Sequence, residues 1–292
     1  MVPKIIIHGG FFSESTTNQE VKLAKQNALK EIVKKSYDFL LKHSALETVV
    51  FAVELLEDCD LFNAGTGSQI QSDGKIRMSA SLMDGDSEKF SGVINICEIK
   101  NPIRLAEKLM SYEDRVLGGE EALVFARKSG FSFYNPEIPQ RRKEYEEKVK
   151  CLIPQKERGS THGLGTVGCV ALDNNGKLAA ATSTGGKGFE IPGRVSDSAT
   201  VAGNYANNFA GVSCTGVGED IVNAALASKI VTRVTDGISL KDAVEKSFSE
   251  LKKFDGFAGV ICIDSKGNFY HKDSFPYMVY AFCNGKNQEV FK

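Results

Sequence analysis

The segment Gly163-Leu164-Gly165-Thr166-Val167-Gly168-Cys169-Val170-Ala171-Leu172-Asp173 sets a short apolar run behind two closely spaced glycines, with a third inside it. Val167 to Leu172 reads as a strand, and a second strand-like run, Leu178 to Thr182, follows within a few residues. The surrounding window, 159 to 218, holds 13 of the 28 glycines and is rich in Ser and Thr. Glycine at that density means backbones in close approach, or turns that need positive φ.

Outward from this window the chain reads as alternating strands and helices. On the N-terminal side, Lys4 to Ile7 is a short strand running into His8-Gly9-Gly10, where His8 is read as capping the strand and carries no catalytic proton. Apolar positions from Val21 to Leu41 recur at steps of three and four, which predicts a long amphipathic helix. Ser44 and Glu47 have capping-box spacing and open a second helix ending near Asp58. Strands are expected around Ile76 to Leu82 and Gly92 to Ile96, then helices over Asn101 to Ser111 and Gly119 to Ser129. From Phe131 to about Arg158, three prolines and the charged run Arg141 to Lys148 offer little apolar periodicity, so an exposed linker with one or two solvated helical turns is expected. On the C-terminal side, helices are expected near Asp220 to Val234 and Leu240 to Phe254, with strands at Phe257 to Ile263, Asn268 to His271 and Met278 to Cys283.

Composition narrows the function classes. The 292 residues are 42% hydrophobic and 25% charged, ordinary for a globular chain that can bury a large core. Lys and Arg number 36 against 37 Asp and Glu, so no overall field is present to hold nucleic acid or an anionic membrane. The N-terminus has no signal-peptide pattern and no apolar run approaches the ~20 residues of a spanning helix, which leads to a cytoplasmic expectation. Seven scattered cysteines without a CxxC pair argue against a disulfide framework, and four histidines without metal spacing argue against a His-based zinc site.

Four blocks stand in order: Gly163 to Asp173, Ala179-Ala-Ala-Thr-Ser-Thr184-Gly-Gly186, Pro192-Gly-Arg194-Val-Ser-Asp197-Ser198, and Ser213-Cys-Thr215-Gly-Val-Gly-Glu219. With His8-Gly-Gly10, Leu61-Phe-Asn-Ala-Gly65 and Met83-Asp-Gly85, they resemble the plant-type L-asparaginase/isoaspartyl peptidase family of N-terminal-nucleophile hydrolases. The resemblance implies an α/β fold, a four-layer αββα sandwich. It also implies self-cleavage between Gly165 and Thr166, giving an α subunit of 1–165, whose end is the linker from about 131, and a β subunit of 166–292. The chemistry is consistent with this. A Thr hydroxyl is a poor nucleophile near neutral pH, whereas a new N-terminal amine with pKa of about 7.7 to 8 can take its proton.

Carried over residue by residue, the resemblance makes Thr166 the nucleophile and Thr184 the hydroxyl that orients it, with the Thr215 hydroxyl and Gly216 N–H as the oxyanion hole. Arg194 would bind the substrate α-carboxylate and Asp197 its α-ammonium, with Asn63 beside the nucleophile. Backbone carbonyls of the loop Leu56, Glu57, Cys59, Phe62, Ala64 and Thr66 are where the resemblance allows a structural sodium ion; no cofactor is expected for catalysis. The implied substrates are L-asparagine and β-aspartyl dipeptides, and the implied assembly is a homo-oligomer of processed αβ units. A glycosylasparaginase-like amidase, or an unprocessed inactive binding or scaffold relative, are the alternatives. Departures from the family pattern are Phe11-Phe12 after His-Gly-Gly, Glu190 before Pro-Gly-Arg in place of Lys, the shortened Ala202 to Asn208 segment, and Ser274 to Met278.

Overall fold

In the computed structural model, which describes residues 1–11, 18–151, 165–254, 257–274 and 278–292, strands and helices sort into two sheets with helices outside both. The large sheet has the order β12-β11-β1-β5-β6-β2-β3-β4. Its strands are β1 Lys4–Phe11, β2 Met78–Asp84, β3 Lys89–Ile96, β4 Val116–Gly118, β5 Thr166–Leu172, β6 Leu178–Thr184, β11 Met278–Cys283 and β12 Gln288–Val290. The small sheet has the order β10-β9-β8-β7, built from β7 Asn204–Ala206, β8 Ala210–Gly216, β9 Ala258–Asp264 and β10 Phe269–Asp273.

Period-two alternation along the central strands divides the apolar side chains among three cores. Ile5 and Ile7 of β1, Val167, Cys169 and Ala171 of β5, and Ala179 and Ala181 of β6 face α1 Gln19–Leu40 and α2 Ala45–Glu57, with α3 Pro102–Leu109 and α4 Gly119–Lys128 extending that layer. The intervening residues Ile6, Val170, Leu172, Leu178 and Ala180 point the other way and meet Ile261 and Ile263 of β9 in a core between the sheets. On the far side of the small sheet, Val212, Cys214, Val260 and Cys262 pack against α6 Gly218–Ala224, α7 Leu226–Thr235 and α8 Leu240–Leu251. Three cores separate four layers, α, β, β and α, as expected from the sequence.

The expected elements form with local differences. The Ser44–Glu47 capping box is present in both directions at the start of α2. The single helix expected over 220–234 is two, broken where Ala225 adopts a left-handed φ of 48°. Strand β8 was read from sequence only as a Ser-Thr-Gly block, since its inner positions are Gly211, Ser213 and Thr215 rather than apolar residues.

The expected linker is corrected over part of its length: Pro139–Cys151 is a 13-residue helix, α5, docked on the loop after α2. Buried Arg141 donates its Nε to the Gly67 carbonyl at 2.9 Å, and the Tyr145 ring lies 5.8 Å from that of Phe189. A helix that docks through the stems of Arg and Tyr shows no apolar stripe, which is why periodicity missed it. Residues 152–164 lie outside the described residues.

Candidate active site

Alternation fixes which way the functional side chains point. Thr166 and Gly168 share the face of Val170, and Thr182 and Thr184 share that of Ala180, so all four project into the layer between the sheets. Thr166 and Thr184 are register partners, both buried, and the Thr166 hydroxyl donates to Thr184 Oγ1 at 3.2 Å. Thr184 Oγ1 also accepts from the Gly186 N–H at 3.2 Å, which ties it to the following turn.

The opposite wall comes from β8. A β-carbon on Gly211 would lie 2.9 Å from Val170, and one on Gly168 would overlap Ser213 Oγ and His8 Nε2. The two strands thus approach across the interlayer at Val170–Gly211 and Gly168–Ser213, and Thr215 is the next residue on the same face of β8. Thr215 is buried and its hydroxyl has no hydrogen-bond partner among the described residues. A buried donor left without a partner costs about 1 to 3 kcal/mol unless something it serves repays it, and an oxyanion is such a group. Gly216 ends β8 in register with Ala258.

One layer deeper lies a network absent from the sequence reading. His8 Nε2 is hydrogen-bonded to Ser213 Oγ at 2.8 Å, and Ser213 Oγ to Thr182 Oγ1 at 2.7 Å. The earlier reading of His8 as a strand cap is therefore incomplete, although its ring is neutral: burial pushes its pKa down to about 3, opposed by the neighbouring Thr166 main chain. The network ties β1, β6 and β8 together beneath the Thr166–Thr184 pair. Gly168 is required there because any side chain would displace the His8–Ser213 bond.

Asn63 borders the expected cut. Gly165 packs against its β-carbon, its Nδ2 donates to Gly186 O at 2.5 Å and its Oδ1 accepts from Gln69 N at 2.9 Å. Arg194 and Asp197 converge on Gly218, whose added β-carbon would lie 3.0 Å from Arg194 Nη2 and 2.9 Å from Asp197 Oδ1. Asp197 is buried, with Oδ1 accepting from Ser196 Oγ at 2.7 Å and Oδ2 without a partner among the described residues. Burial raises its pKa to about 6. The sequence reading did not foresee that Arg194 already holds a carboxylate: its Nε and Nη2 donate to Glu219 at 2.7 and 2.9 Å. The guanidinium holds the Glu219 carboxyl down at about 2, so the pair is charged over the working range.

The family profile described as Asparaginase matches residues 1–291. The chain belongs to the asparaginase family. Among the relatives of this asparaginase-family chain are the isoaspartyl peptidase/L-asparaginase of Synechocystis sp., 47% identical over 98% of this chain and 89% of its own, and the plant-type L-asparaginase of Pyrococcus furiosus, 39% identical over 95% of each. The isoaspartyl peptidase of Escherichia coli is 38% identical over 90% of this chain and 87% of its own.

The departures sort by position. Phe11 points into the core between the sheets, its ring edge-on to Phe257 at 5.0 Å and close to Gly259, the register partner of Thr215; Phe12 lies outside the described residues, as do 275–277. Glu190 is buried beneath the Gly185–Gly186 turn, with Oε1 accepting from Lys187 N at 3.2 Å. Around the candidate sodium loop, the Glu57 and Cys59 carbonyls accept from Thr66 N at 2.8 Å and Phe62 N at 3.2 Å. Those of Phe62, Ala64 and Thr66 accept no backbone hydrogen bond among the described residues. Neutral carbonyl oxygens with spare lone pairs suit a hard cation. The Glu57 side chain is a different matter: burial raises its pKa to about 8, and it accepts from Ser183 Oγ at 2.6 Å and Ile103 N at 3.1 Å. No group of three or more His, Cys, Asp or Glu poised for a metal occurs among the described residues.

Proposed function

We propose that the chain cuts itself between Gly165 and Thr166 and then hydrolyses the side-chain amide of L-asparagine and the isopeptide bond of β-aspartyl dipeptides. The observations that carry this are the Thr166–Thr184 hydrogen bond at the first residue of β5 and the buried Thr215 hydroxyl without a partner among the described residues. Cutting frees the Thr166 amine, which takes the proton as the Thr166 hydroxyl attacks the substrate carbonyl. Thr184 Oγ1 accepts from the nucleophile and orients it. Thr215 Oγ1 and the Gly216 N–H donate to the oxyanion, a contribution of order 3 to 4 kcal/mol per donor. The leaving amine departs with a proton, and water attacks the resulting β-aspartyl ester.

Arg194 and Asp197 grip the free amino-acid head. The substrate α-carboxylate either replaces Glu219 on the guanidinium or takes its Nη1 edge, which bonds nothing among the described residues. The carbonyls of Leu56, Glu57, Cys59, Phe62, Ala64 and Thr66 would hold a sodium ion that fixes the loop carrying Asn63. Processed units pair into an (αβ)2 assembly, and free cysteines without a disulfide among the described residues suit the cytoplasm.

The test combines intact mass spectrometry with rates on four substrates. Two fragments, the second beginning at Thr166, are expected from the wild type and one uncut chain from Thr166→Ala. L-Asparagine and a β-aspartyl dipeptide should be cleaved; the α-linked isomer and N-acetyl-asparagine, which leaves Asp197 unpaired, should not. An uncut, inactive wild type supports the scaffold alternative, and cleavage of the N-acetylated analogue at a comparable rate removes the clamp.

A further inference from the structure

The clamp depends on where Arg194 leaves the main chain, and that point is held by two side chains that no motif marks. Ile191-Pro192-Gly193-Arg194 is a type II turn: Arg194 N donates to Ile191 O at 3.0 Å, Pro192 occupies the second position, and Gly193 the third with φ of 84°. The turn is exposed, with Ile191 at 64%, so packing does not fix it. Hydrogen bonds do. Gly193 N donates to Gln71 Oε1 at 3.0 Å, and Asn95 Nδ2 donates to Gly193 O at 2.8 Å.

Both partners are built for this contact. Gln71 is buried, closes the 71–75 turn through its main chain, and its Oε1 also accepts from Arg77 Nη1 at 2.7 Å; Arg77 is in turn paired with Asp73 at 2.9 Å. Asn95 sits where the β2–β3 register slips between the pairs Met78–Ile96 and Ala80–Val93, and it has a left-handed φ of 54°. Its N–H donates to Ser79 Oγ at 3.0 Å, and Ser79 is the register partner of Thr184. A bulge beside a site re-aims a side chain, here the Asn95 amide. Half-exposed Glu219 pulls the guanidinium from the other end.

We propose that Gln71 and Asn95 are positioning residues that grip Gly193 from both sides and so aim the Arg194 guanidinium at the substrate α-carboxylate. The inference rests on the proposed function and specifies how its clamp is held. Because the carboxylate is bound alike in ground and transition states, loosening its partner raises KM and leaves kcat nearly unchanged. A merely structural role lowers thermal stability and kcat without that split.

Asn95→Gly keeps a residue at ease with positive φ and removes the amide; Gln71→Met keeps length and removes the acceptor. Each is expected to self-cleave like wild type and to show KM for a β-aspartyl dipeptide raised about tenfold, with kcat within about twofold. Gln71→Glu retains the acceptor and should restore KM to within about threefold of wild type. In an Arg194→Ala background neither substitution should lower kcat/KM further, since the coupling runs through Arg194. Unchanged KM in both single variants, or additive loss in that background, overturns the inference while leaving an active wild type's assignment intact. A wild type without β-aspartyl hydrolysis overturns the assignment and the inference together. If Gln71→Met does not give folded protein, Asn95→Gly, at a half-buried position, decides the matter alone.

Discussion

Burial raises the Asp197 carboxyl to about 6, because it penalises the charge that the proposed grip on a substrate ammonium requires. The sign follows: below that value the free enzyme carries a neutral Asp197, and as pH rises through it the carboxylate forms and substrate binding improves. We expect kcat/KM to rise through an apparent pKa near 6 as the Asp197 carboxylate forms. A kcat/KM profile flat between about pH 5 and 7 would remove Asp197 from substrate binding. The same raised value makes Asp197 a cost to the empty protein, since its charge is formed at the expense of folding as pH rises from 3.8 to about 6. Of the residues singled out from sequence, Thr166 and Thr184 are hydrogen-bonded register partners and Arg194 and Asp197 meet at Gly218, while the Glu219 contact to Arg194 and the His8–Ser213 bond come from the fold alone. Glu219 could have been suspected, since it ends the Thr215-Gly-Val-Gly block, but nothing in a lone Ser213 marks it as a partner for His8.

At the scale of elements, the break between α6 and α7 places an alanine where glycine is at ease. Ala225 at φ 48° puts its β-carbon against its own carbonyl, and the left-handed conformation costs about 1 to 2 kcal/mol for an L-residue. Ala225→Gly should therefore stabilise the protein by up to about 1 kcal/mol once the entropy of the unfolded glycine is subtracted, raising Tm by about 2 °C. A lower Tm in calorimetry would mean the bend is not held in this geometry. Helix α5 teaches the complementary lesson. Its charged run reads as solvated because each residue is polar, yet Arg141 is buried against Gly67 on the loop that carries Asn63 and the Tyr145 ring lies near Phe189.

For the molecule as a whole, the strand order interleaves the two expected fragments. Strand β1 of 1–165 lies between β11 and β5 of 166–292, and β6 pairs with β2, giving three ladders across the cut. The fragments should co-elute under native conditions after cutting and melt in one transition; separation of folded fragments on a sizing column would contradict this topology. Because Gly165 and Thr166 are adjacent, the proposed cut should be unimolecular, with a rate that does not change on dilution. Concentration-dependent cutting would point to cleavage between molecules or by a contaminant.

Local sequence determined most strands of the large sheet, the capped helix starts and the ordered blocks that carry the chemistry. Each depends on residues within a few positions of one another, where side-chain period and turn chemistry act directly. Tertiary structure alone decided that His8 reaches Ser213 across 205 positions, that Glu219 sits on Arg194 and that Gln71 and Asn95 bond to Gly193. Those contacts follow from the alignment of one sheet over another and from a slipped register. Such alignments are set by the sum of packing between distant strands and leave no periodic trace in the segments they join.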